Sequence, residues 1–537
     1  MTDFLIFLKW MMAFSTAIAM LCAQRSLMHD FQLESYQFPG YFRTLKRNWK
    51  RSILPGIVLG CYLAALYGLY SNISAGLTDN LEQLLLGIAN LVLAIGGGLV
   101  CRALFRQKKA KKAFVATKRV KRTYAVMVVV YTLMCALAAL LLPAWCCGLI
   151  PLLLPLWVAL GGLLAWPFEK LVSELYFRDA QRKLKARPDI IKIGITGSYG
   201  KTSVKFILGT ILQEKYQTLV TPSSFNTPMG VTRVIREKLT PATQVFVAEM
   251  GARHVGDIKE MCRLVHPTYG VLTSVGPQHL DTFRTLERIK NTKYELIEAL
   301  PKDGCAFFPD DGAICYELYG RTAIEKHLCS LKQSKNAEVW ASDITVSATG
   351  SRFILHAGQE QIACETRLLG EHNIQNILLA AMVALRLKLS LRQIANGISK
   401  LQPIEHRLQL IPSIGVTIID DAFNSNPRGA EAALKVLGAF DARRIIITPG
   451  MVELGTEEEQ FNREFGRKMA SNVDIAILVG KKHTQPIAEG LLEAGFTQEK
   501  LHAVSSLDEA AALLRQIAKP GDVAMFENDL PDHYSEV

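Results

Sequence analysis

Long, predominantly apolar stretches dominate the first third of the chain. They cover Phe4–Cys22, Ile53–Tyr70, Leu84–Phe105, Tyr124–Leu142 and Leu149–Trp166. Each approaches or exceeds the roughly 20 residues that an α-helix needs to cross a bilayer core of about 30 Å. A cleaved signal peptide is an alternative for the first stretch alone, but repeated stretches without a small-residue cleavage site favour a membrane region. The pattern therefore predicts five transmembrane helices.

The segments between these stretches alternate in charge. Segment 102–122 contains ten Lys and Arg residues and no acidic residue, and the segment after the first stretch is also basic. Segments 71–82 and 143–150 contain no Lys or Arg. By the positive-inside rule, this alternation places the N-terminus outside and everything after Trp166 in the cytoplasm.

The basic segment also explains the net charge. It supplies +10 of the formal net charge of +12, so the rest of the chain is nearly neutral. A basic loop beside membrane helices is typical of contact with anionic lipid headgroups. The sequence contains no zinc knuckle and no RNA-binding aromatic signature, and we therefore expect no nucleic-acid partner.

The chain contains eleven cysteines, six of them in or beside the apolar stretches. The other five show no C-x-x-C spacing, which argues against a metal or redox framework. We expect them to be small buried apolar residues. They are Cys262, Cys305, Cys315, Cys329 and Cys364.

From Ile190 onwards, short β-branched runs alternate with segments of helical periodicity. This alternation is typical of mainly parallel sheets with helices on both faces. Segment 169–187, just before, is charged and helical in pattern, which predicts a connector along the membrane surface. Segment 338–368 alternates with period two, which predicts a small antiparallel sheet. The other predicted strands are Ile190–Thr196, Gln244–Glu249, Gly270–Val275, Val416–Ile419, Arg444–Thr448, Ile475–Val479 and Val523–Phe526.

The sharpest local motif is a strand, a glycine-containing turn and a helix with the sequence ITGSYGKTS. Glycines let the backbone N–H groups of such a turn point at phosphate oxygens. The lysine supplies a compact positive charge for the β- and γ-phosphates, and the threonine hydroxyl is a ligand for Mg²⁺. The motif therefore predicts nucleotide binding by Gly197, Ser198, Tyr199, Gly200, Lys201, Thr202 and Ser203.

Further polar residues follow the next two predicted strands. Glu249 ends one strand, at the position where a nucleotide-bound Mg²⁺ finds a carboxylate. His279 follows the other strand, and Lys293 lies fourteen residues later on a predicted helix. Each is weak alone, because a histidine near a turn is usually solvated and a helical lysine usually faces water.

Taken together, these residues resemble the Mur ligase family, the cytoplasmic ATP-dependent amide ligases that build the peptide of peptidoglycan precursors. The likeness is greatest to the member that adds D-alanyl-D-alanine, and it covers about residues 190–521. The motifs that carry it are TGSYGKTS at Thr196, SFNTPMGV at Ser224, EMGARHVGDI at Glu249, TSVGPQHLDTF leading into KNTKYEL, LLGEHNIQNILLA at Leu368, HRLQLI at His406, DDAFNSNP at Asp420 and MVELG at Met451.

The apolar stretches and the resemblance together imply a fold class of several domains, an α-helical transmembrane region followed by two α/β domains. The hydrophobic pattern places a transmembrane region at 1–168 and an amphipathic connector at 169–189. The resemblance implies a P-loop central ATP-binding domain at 190–405 and a Rossmann-like C-terminal ligase domain at 406–537. Together they predict a multi-pass protein of the bacterial inner membrane whose ligase domains are cytoplasmic.

The resemblance further implies roles for single residues. Lys201 would hold the ATP phosphates, Thr202 and Glu249 would bind one Mg²⁺, and His279 would help to bind a second. Lys293 matches the lysine that the family carries as a carbamate, so we expect Lys201, Lys293 and His279 to be the catalytic residues. The positions that match nucleotide-contacting residues elsewhere are Asn373, Asn376, Arg407, Asp421 and Asn424.

Three departures leave the substrates open. The apolar stretches stand where the family has a soluble UDP-sugar-binding domain, His406 replaces the usual glycine before Arg407, and the chain end lacks a Lys-Gly-Ser segment. The main expectation is addition of an amino acid or dipeptide to a cell-wall peptide precursor. The alternatives are a lipid-linked carboxylate, a poly-γ-glutamate-like polymer, a non-catalytic membrane scaffold, or a transporter driven by an ATPase domain.

Overall fold

A computed structural model describes residues 2–77, 79–105, 114–222, 225–347, 349–411, 415–423, 425–481 and 483–529. The chain divides into two compact units, Met1–Glu174 and Leu175–Val537. The predicted fold class is confirmed, because a helical region precedes two α/β domains. The predicted domain boundaries stay predictions.

The first unit is built from long helices. Among the described residues, four helical segments are long and apolar enough to cross a membrane. A fifth is added if a bent pair of helices is counted as one span. That pair falls on the first predicted stretch, where the chain bends by 47° after Ala23. The helices are α1 (Thr2–Ala23), α2 (Arg25–Leu33), α3 (Phe38–Arg47), α4 (Trp49–Ala75), α5 (Asn80–Leu104), α6 (Lys118–Leu141) and, after a 3₁₀ segment at Ala144–Leu153, α7 (Leu154–Lys185).

This unit presents apolar side chains on its outside and buries polar ones. Val92, Leu133 and Leu141 are more than 60% exposed. Inside, the Tyr67 hydroxyl lies 2.8 Å from Ser15 Oγ and 2.7 Å from Thr16 Oγ1. Exposure of so many apolar side chains to water would cost free energy, whereas their exposure to lipid would not. The buried polar groups form hydrogen bonds with one another, as polar groups inside a bilayer must.

The basic segment 102–122 is only partly a loop. Arg102 belongs to α5 and the last residues of the segment form the first turn of α6, while 106–113 lie outside the described residues. Lys118 and Lys121 are exposed. Arg122 instead pairs with Glu169 of α7 through bonds of 2.5 and 2.8 Å.

The first half of the second unit is a nine-stranded sheet with order β2-β3-β1-β4-β5-β6-β7-β8-β9. Its elements are β1 (Ile191–Thr196), α8 (Lys201–Leu212), β2 (Thr218–Val220), α9 (Pro228–Lys238), β3 (Val245–Glu249), α10 (Asp257–Val265), β4 (Tyr269–Leu272), α11 (Leu280–Phe283), α12 (Leu286–Glu298), β5 (Cys305–Pro309), α13 (Ile314–Arg321), β6 (Glu325–Ser330), β7 (Val339–Ser347), β8 (Gly350–Ala357), β9 (Glu360–Thr366), α14 (Glu371–Arg386) and α15 (Leu391–Ser399).

Strands β2 to β6 pair in parallel, and β1 lies between β3 and β4. The chain order reverses there, which makes the carboxyl ends of β3, β1 and β4 the topological switch point where α/β sheets bind ligands. One face of the sheet packs against α8, α14 and α15, and the other against α9, α10, α12 and α13.

The prediction of a small antiparallel sheet at 338–368 is right about how these strands pair with one another and wrong about their forming a sheet of their own. Strands β7, β8 and β9 are antiparallel to one another, but β7 pairs in parallel with β6 at Cys329↔Val339. The hairpins therefore extend the main sheet. Period-two alternation identifies strands but does not tell which edge they join.

The second half is a six-stranded sheet with order β10-β11-β15-β12-β13-β14, parallel except for β10. Helices pack on both faces, α16 to α18 on one and α19 on the other. The elements are β10 (Gln409–Ile411), β11 (Thr417–Asp421), α16 (Pro427–Gly438), β12 (Arg444–Thr448), α17 (Glu458–Met469), β13 (Ile475–Val479), α18 (Gln485–Glu493), β14 (Leu501–Val504), α19 (Leu507–Ile517) and β15 (Val523–Glu527).

Candidate active site

The turn between β1 and α8 forms a phosphate-binding loop at the switch point. Gly200 caps α8 with a φ of 79°, a conformation that glycine adopts without strain. A Cβ there would lie 2.9 Å from Asn376 Oδ1, so the loop also needs glycine for close approach. The free N–H groups at the start of α8 and the helix dipole favour an anion in front of the loop.

Hydrogen bonds hold this loop to the residues after β4. Ser198 Oγ donates to Gly276 O at 2.9 Å, and Tyr199 N donates to Ser274 Oγ at 2.8 Å. The Tyr199 hydroxyl donates to Pro277 O at 2.5 Å. Ser198 and Tyr199 thus hold the loop in its conformation. Ser203, the third residue of α8, is buried.

Lys201 curls over the loop. Its Nζ donates to Gly197 O at 2.7 Å and to Ser198 O at 2.9 Å. Burial lowers the pKa of Lys201 to about 8, although the negative charge of Glu249 opposes the shift and Arg407 adds to it. A phosphate group would supply the negative charge that keeps this lysine protonated.

Glu249, at the end of β3, contacts polar side chains from two segments, α8 and the loop before α9. It accepts hydrogen bonds from Thr202 Oγ1 at 3.1 Å and Asn226 Nδ2 at 3.1 Å. Lys205 Nζ lies 2.9 Å from its other oxygen, and both side chains are at most 1% exposed. Burial alone would raise the pKa of Glu249, but the charges of Lys205 and Lys201 outweigh it, and the pKa falls.

Lys205 and Asn226 were not predicted as site residues. The signal for Lys205 was its spacing, because a residue four positions after Lys201 lies on the same face of a helix. An isolated lysine among apolar neighbours of α8 also indicates a buried partner. Asn226 lies in a loop, where spacing carries no such information.

His279 begins the short helix α11 with a φ of 53°. Its Nδ1 lies 2.6 Å from Glu453 Oε2, a residue that follows β12 and also has a positive φ, 65°. In the described part of the chain, no hydrogen bond or ion pair joins His279 to Glu249 or Lys293. The structure therefore brings His279 to a residue of the C-terminal half that we did not predict as part of the site.

Lys293 lies on α12 and is only 2% exposed. Its Nζ lies 5.9 Å from the centre of the Phe283 ring, and no carboxylate within the described ranges is at ion-pair distance from it. Burial, together with the charge of Lys201, holds the pKa of Lys293 well below its usual range. The surroundings of this side chain therefore disfavour its charged form.

The two asparagines lie on the first turns of α14. Asn373 is buried, and its Nδ2 donates to Leu369 O at 2.9 Å. Asn376 reaches Gly200 of the phosphate loop, as the close approach described above shows. Asn376 thus lies beside the loop, and its Nδ2 is 3.5 Å from Asn373 Oδ1.

Arg407 and Asp421 belong to the C-terminal half, and the charge of Arg407 acts on Lys201 and Glu249 at the phosphate loop. Burial lowers the pKa of Arg407, while the charges of Asp421 and Glu249 oppose the shift. Burial, reinforced by the charge of Glu527, raises the pKa of Asp421 to about 8. Asn424 lies outside the described residues.

The fold and this loop define a nucleotide-binding α/β protein, since a phosphate loop, a strand-end carboxylate and a hydroxyl converge at one switch point. The Mur ligase middle domain matches residues 195–384, and the Mur ligase glutamate ligase domain matches residues 406–526. Together the matches span more than half of the chain. The chain belongs to the Mur ligase family, whose members are ATP-dependent ligases.

Within that family, the chain resembles MurF. The UDP-N-acetylmuramoyl-tripeptide--D-alanyl-D-alanine ligase of Mycobacterium tuberculosis (strain ATCC 25618 / H37Rv) is 31% identical over 356 residues, which cover 62% of this chain and 69% of that protein. A crystal structure of MurF from Acinetobacter baumannii matches with a TM-score of 0.61 and 26% identity, over 68% of this chain and 79% of that one.

A MurF ligase structure from Thermotoga maritima, in complex with ADP, shares the fold. It has a TM-score of 0.61 and 23% identity, and covers 68% of this chain and 82% of that one. The matched domains lie within the second unit, and the long apolar helices of the first unit lie before them.

Proposed function

We propose that this protein is a membrane-anchored, ATP-dependent ligase that joins the carboxylate of UDP-N-acetylmuramoyl-tripeptide to the amine of D-alanyl-D-alanine. The observation that carries the proposal is the convergence of Lys201, Thr202 and Glu249 at the carboxyl ends of neighbouring strands. The names of the related ligases supply the two substrates.

Activation of the carboxylate explains why such a site needs positive charge. An amine does not displace the oxygen of a free carboxylate, but it displaces phosphate from an acyl phosphate. Phosphoryl transfer from ATP gathers negative charge between the nucleotide and the carboxylate, and Lys201 and Arg407 would offset it. Closure of the C-terminal half, marked here by the His279–Glu453 contact, would keep water from the acyl phosphate.

The donor atoms around Glu249 fit a magnesium ion. The Glu249 carboxylate and the Thr202 hydroxyl are hard oxygen ligands of the kind that Mg²⁺ prefers, and Thr202 Oγ1 lies 3.1 Å from Glu249 Oε1. Asn226 Nδ2 donates to the same carboxylate oxygen at 3.1 Å and would help to orient it. The ion would supply charge neutralisation at the phosphates. Lys205 holds the carboxylate in place from the opposite side.

A second Mg²⁺ would need an anionic group from Lys293, since a neutral amine is not a magnesium ligand. Burial lowers the pKa of Lys293 and so favours the unprotonated Nζ, which is the form that adds CO₂. The resulting carbamate carries a negative charge and two oxygens. We propose that Lys293 is carbamylated and binds a second Mg²⁺ together with His279.

The remaining positions would bind the nucleotide. Asn376 lies beside the phosphate loop and Asn373 lies next to Asn376, and both would contact the adenine. Arg407, Asp421 and Asn424 would reach the ATP from the C-terminal half. The electrostatic influence of Arg407 on Lys201 supports this placement.

We propose that the first unit spans the bacterial inner membrane, with the N-terminus outside and the ligase domains in the cytoplasm. The support comes from its exposed apolar side chains and its candidate spans. The exposed Lys118 and Lys121 would contact anionic headgroups.

The same unit favours one other carboxylate substrate. It stands where the related ligases have a soluble domain that helps to bind a UDP-sugar. A precursor carried on a lipid would reach a membrane-anchored ligase by lateral diffusion. A lipid-linked peptide is therefore the second candidate.

The test is amide formation by full-length protein in detergent with ATP, Mg²⁺ and bicarbonate. Three acceptors are compared, namely the UDP-linked tripeptide with D-alanyl-D-alanine, a lipid-linked tripeptide with the same amine, and glutamate alone. We expect pentapeptide product from the first. Lys201→Ala should reduce it at least about 10²-fold, since one lost charge-stabilising donor typically costs that much.

Lys238→Ala is the matched control, because Lys238 is exposed at the end of α9. If only the lipid-linked acceptor gives product, the substrate is the lipid-linked peptide and not the UDP-linked tripeptide. Product from glutamate alone would indicate a polymer synthase. If none of the acceptors gives a product that Lys201→Ala removes, the proposed ligase activity is wrong.

A further inference from the structure

A second group of reactive side chains lies at the opposite edge of the nine-stranded sheet, where its strands begin. Cys305 and Glu325 are the first residues of β5 and β6 and are register partners. Partners on parallel strands point to the same face, and so does His327, two positions after Glu325. The sequence predicted only a buried apolar role for Cys305.

The donor atoms of these side chains lie close together. Within the ranges that the structure describes, no other group of His, Cys, Asp and Glu side chains brings three donor atoms within 4.8 Å of one another. His327 Nε2 lies 3.1 Å from Glu325 Oε1. Ligand atoms around tetrahedral zinc lie roughly 3.3–3.6 Å apart, so the observed spacing is near that of a bound ion.

Neighbouring residues orient these donors. Glu338 Oε2 lies 2.7 Å from His327 Nδ1, which leaves Nε2 directed at Glu325. Arg386 donates to both oxygens of Glu325, at 2.7 and 2.9 Å, and the His327 ring stacks on Phe307 at 5.4 Å. A carboxylate on the second nitrogen is the usual support of a metal-binding histidine.

We propose that Cys305, Glu325 and His327 bind a zinc ion, with a water molecule as the fourth ligand. A thiolate, an imidazole and a carboxylate together suit Zn²⁺, whereas Mg²⁺ avoids sulfur. Binding releases the thiol proton and any proton on Nε2 to solvent.

The ion would serve structure rather than the ligase reaction, since the phosphate loop lies at the other edge of the sheet. It would join the first residues of β5 and β6, and through Glu338 the start of β7. This is where the parallel strands meet the antiparallel extension. The proposal does not rest on the proposed ligase activity.

The test uses full-length protein in detergent, stripped with a chelator and titrated with Zn²⁺ or Co²⁺. We expect one tightly bound zinc per chain and, with Co²⁺, a thiolate-to-cobalt charge-transfer band. The magnesium ligands proposed above contain no sulfur, so a cobalt ion there would give no such band. Cys305→Ser should remove the band, and Cys364→Ser, a buried cysteine on β9, should keep it.

Two further variants keep the test decisive if Cys305→Ser folds poorly. Glu338→Gln should weaken zinc binding about 10–100-fold while the band remains, as expected for a residue that positions a ligand. His327→Gln should change the cobalt spectrum and weaken binding further. A band that persists in Cys305→Ser, cobalt bound without a thiolate band, or no tight zinc in the wild type would each overturn the proposal.

Discussion

The two units each bury a carboxylate among cations, but in different surroundings. Glu249 in the second unit pairs with Lys205, and both side chains are almost fully buried. Glu169 in the first unit accepts two bonds from Arg122, whose side chain is 39% exposed. The first pair also touches Thr202 and Asn226, whereas the second joins α6 to α7.

The difference distinguishes a candidate binding site from a structural ion pair between two helices. Around Glu249, cations and hydrogen-bond donors exceed what one carboxylate needs for neutrality, which leaves positive charge for a phosphate. Around Glu169, the arginines come from the basic segment and tie two helices together. Exposure also sets the energy scale, because a charge left unpaired in a dry interior costs more than one that water reaches.

The largest expected effect concerns Lys293, a buried lysine of the second unit with no carboxylate at ion-pair distance among the described residues. Lys293→Met replaces an amine whose charged form burial disfavours by an apolar side chain, so we expect unchanged or higher thermal stability. Activity should fall at least about 10²-fold, because the carbamate is lost. Amide formation and thermal unfolding, measured on the same sample, check this.

The exposed Lys302→Met serves as the control for the Lys293 variant. The mass of the active wild-type protein, taken without acid treatment, should include one CO₂. Full activity of Lys293→Met would show that the reaction does not require Lys293.

The next effect tests the pair of Lys205 and Glu249. Lys205→Met leaves a buried carboxylate without its partner, and such a loss typically costs about 3–5 kcal/mol. Chemical denaturation should show this decrease in the free energy of unfolding. The exposed Lys335→Met should be neutral, and adding Glu249→Met to Lys205→Met should restore stability. A single variant as stable as the wild type would contradict a buried ion pair.

A smaller effect is expected in the first unit. Glu169→Gln keeps the size of the side chain but removes the charge that Arg122 and Arg119 face. Because the arginines are partly exposed, we expect a cost of about 1–3 kcal/mol, measured as thermal unfolding in detergent micelles. Glu82→Gln, at an exposed position of α5, is the comparison. A cost equal to that of Lys205→Met would abolish the distinction between the two units.

The smallest effect is a dependence on pH from the second unit. Asp421 has a pKa raised to about 8 by burial, so the folded protein keeps a proton that the unfolded chain releases near pH 4. Stability from this group therefore falls as pH rises from about 4 to 8. Asp421→Asn should reduce the loss of thermal stability between pH 6 and pH 9, whereas the exposed Asp441→Asn should not. An unchanged pH profile would argue against the buried acid.

Much of the fold was predictable because hydrophobic patterning is local. The strands Arg444–Thr448 and Ile475–Val479 have the bounds that the sequence predicted. The phosphate loop was predictable too, since its strand, glycines and lysine are consecutive. The first apolar stretch was less predictable, because nothing in its sequence marks the bend after Ala23.

Contacts between distant segments were not predictable. The pairing of His279 with Glu453 joins positions 174 residues apart, and no spacing rule connects them. The position of β7 beside β6, which extends the main sheet, likewise depends on which free edge is available. Local periodicity describes an element and leaves its neighbour undetermined.

The strand order of the C-terminal sheet has a consequence for synthesis of the chain. The last described strand, β15, lies between β11 and β12, in the middle of its sheet. During translation the earlier strands emerge first and lack their central neighbour until Val523–Glu527 leaves the ribosome. A chain interrupted before that point would leave two unpaired strand edges, which are prone to aggregation and recognisable to chaperones and proteases. The central placement of β15 thus makes completion of this sheet depend on synthesis of Val523–Glu527.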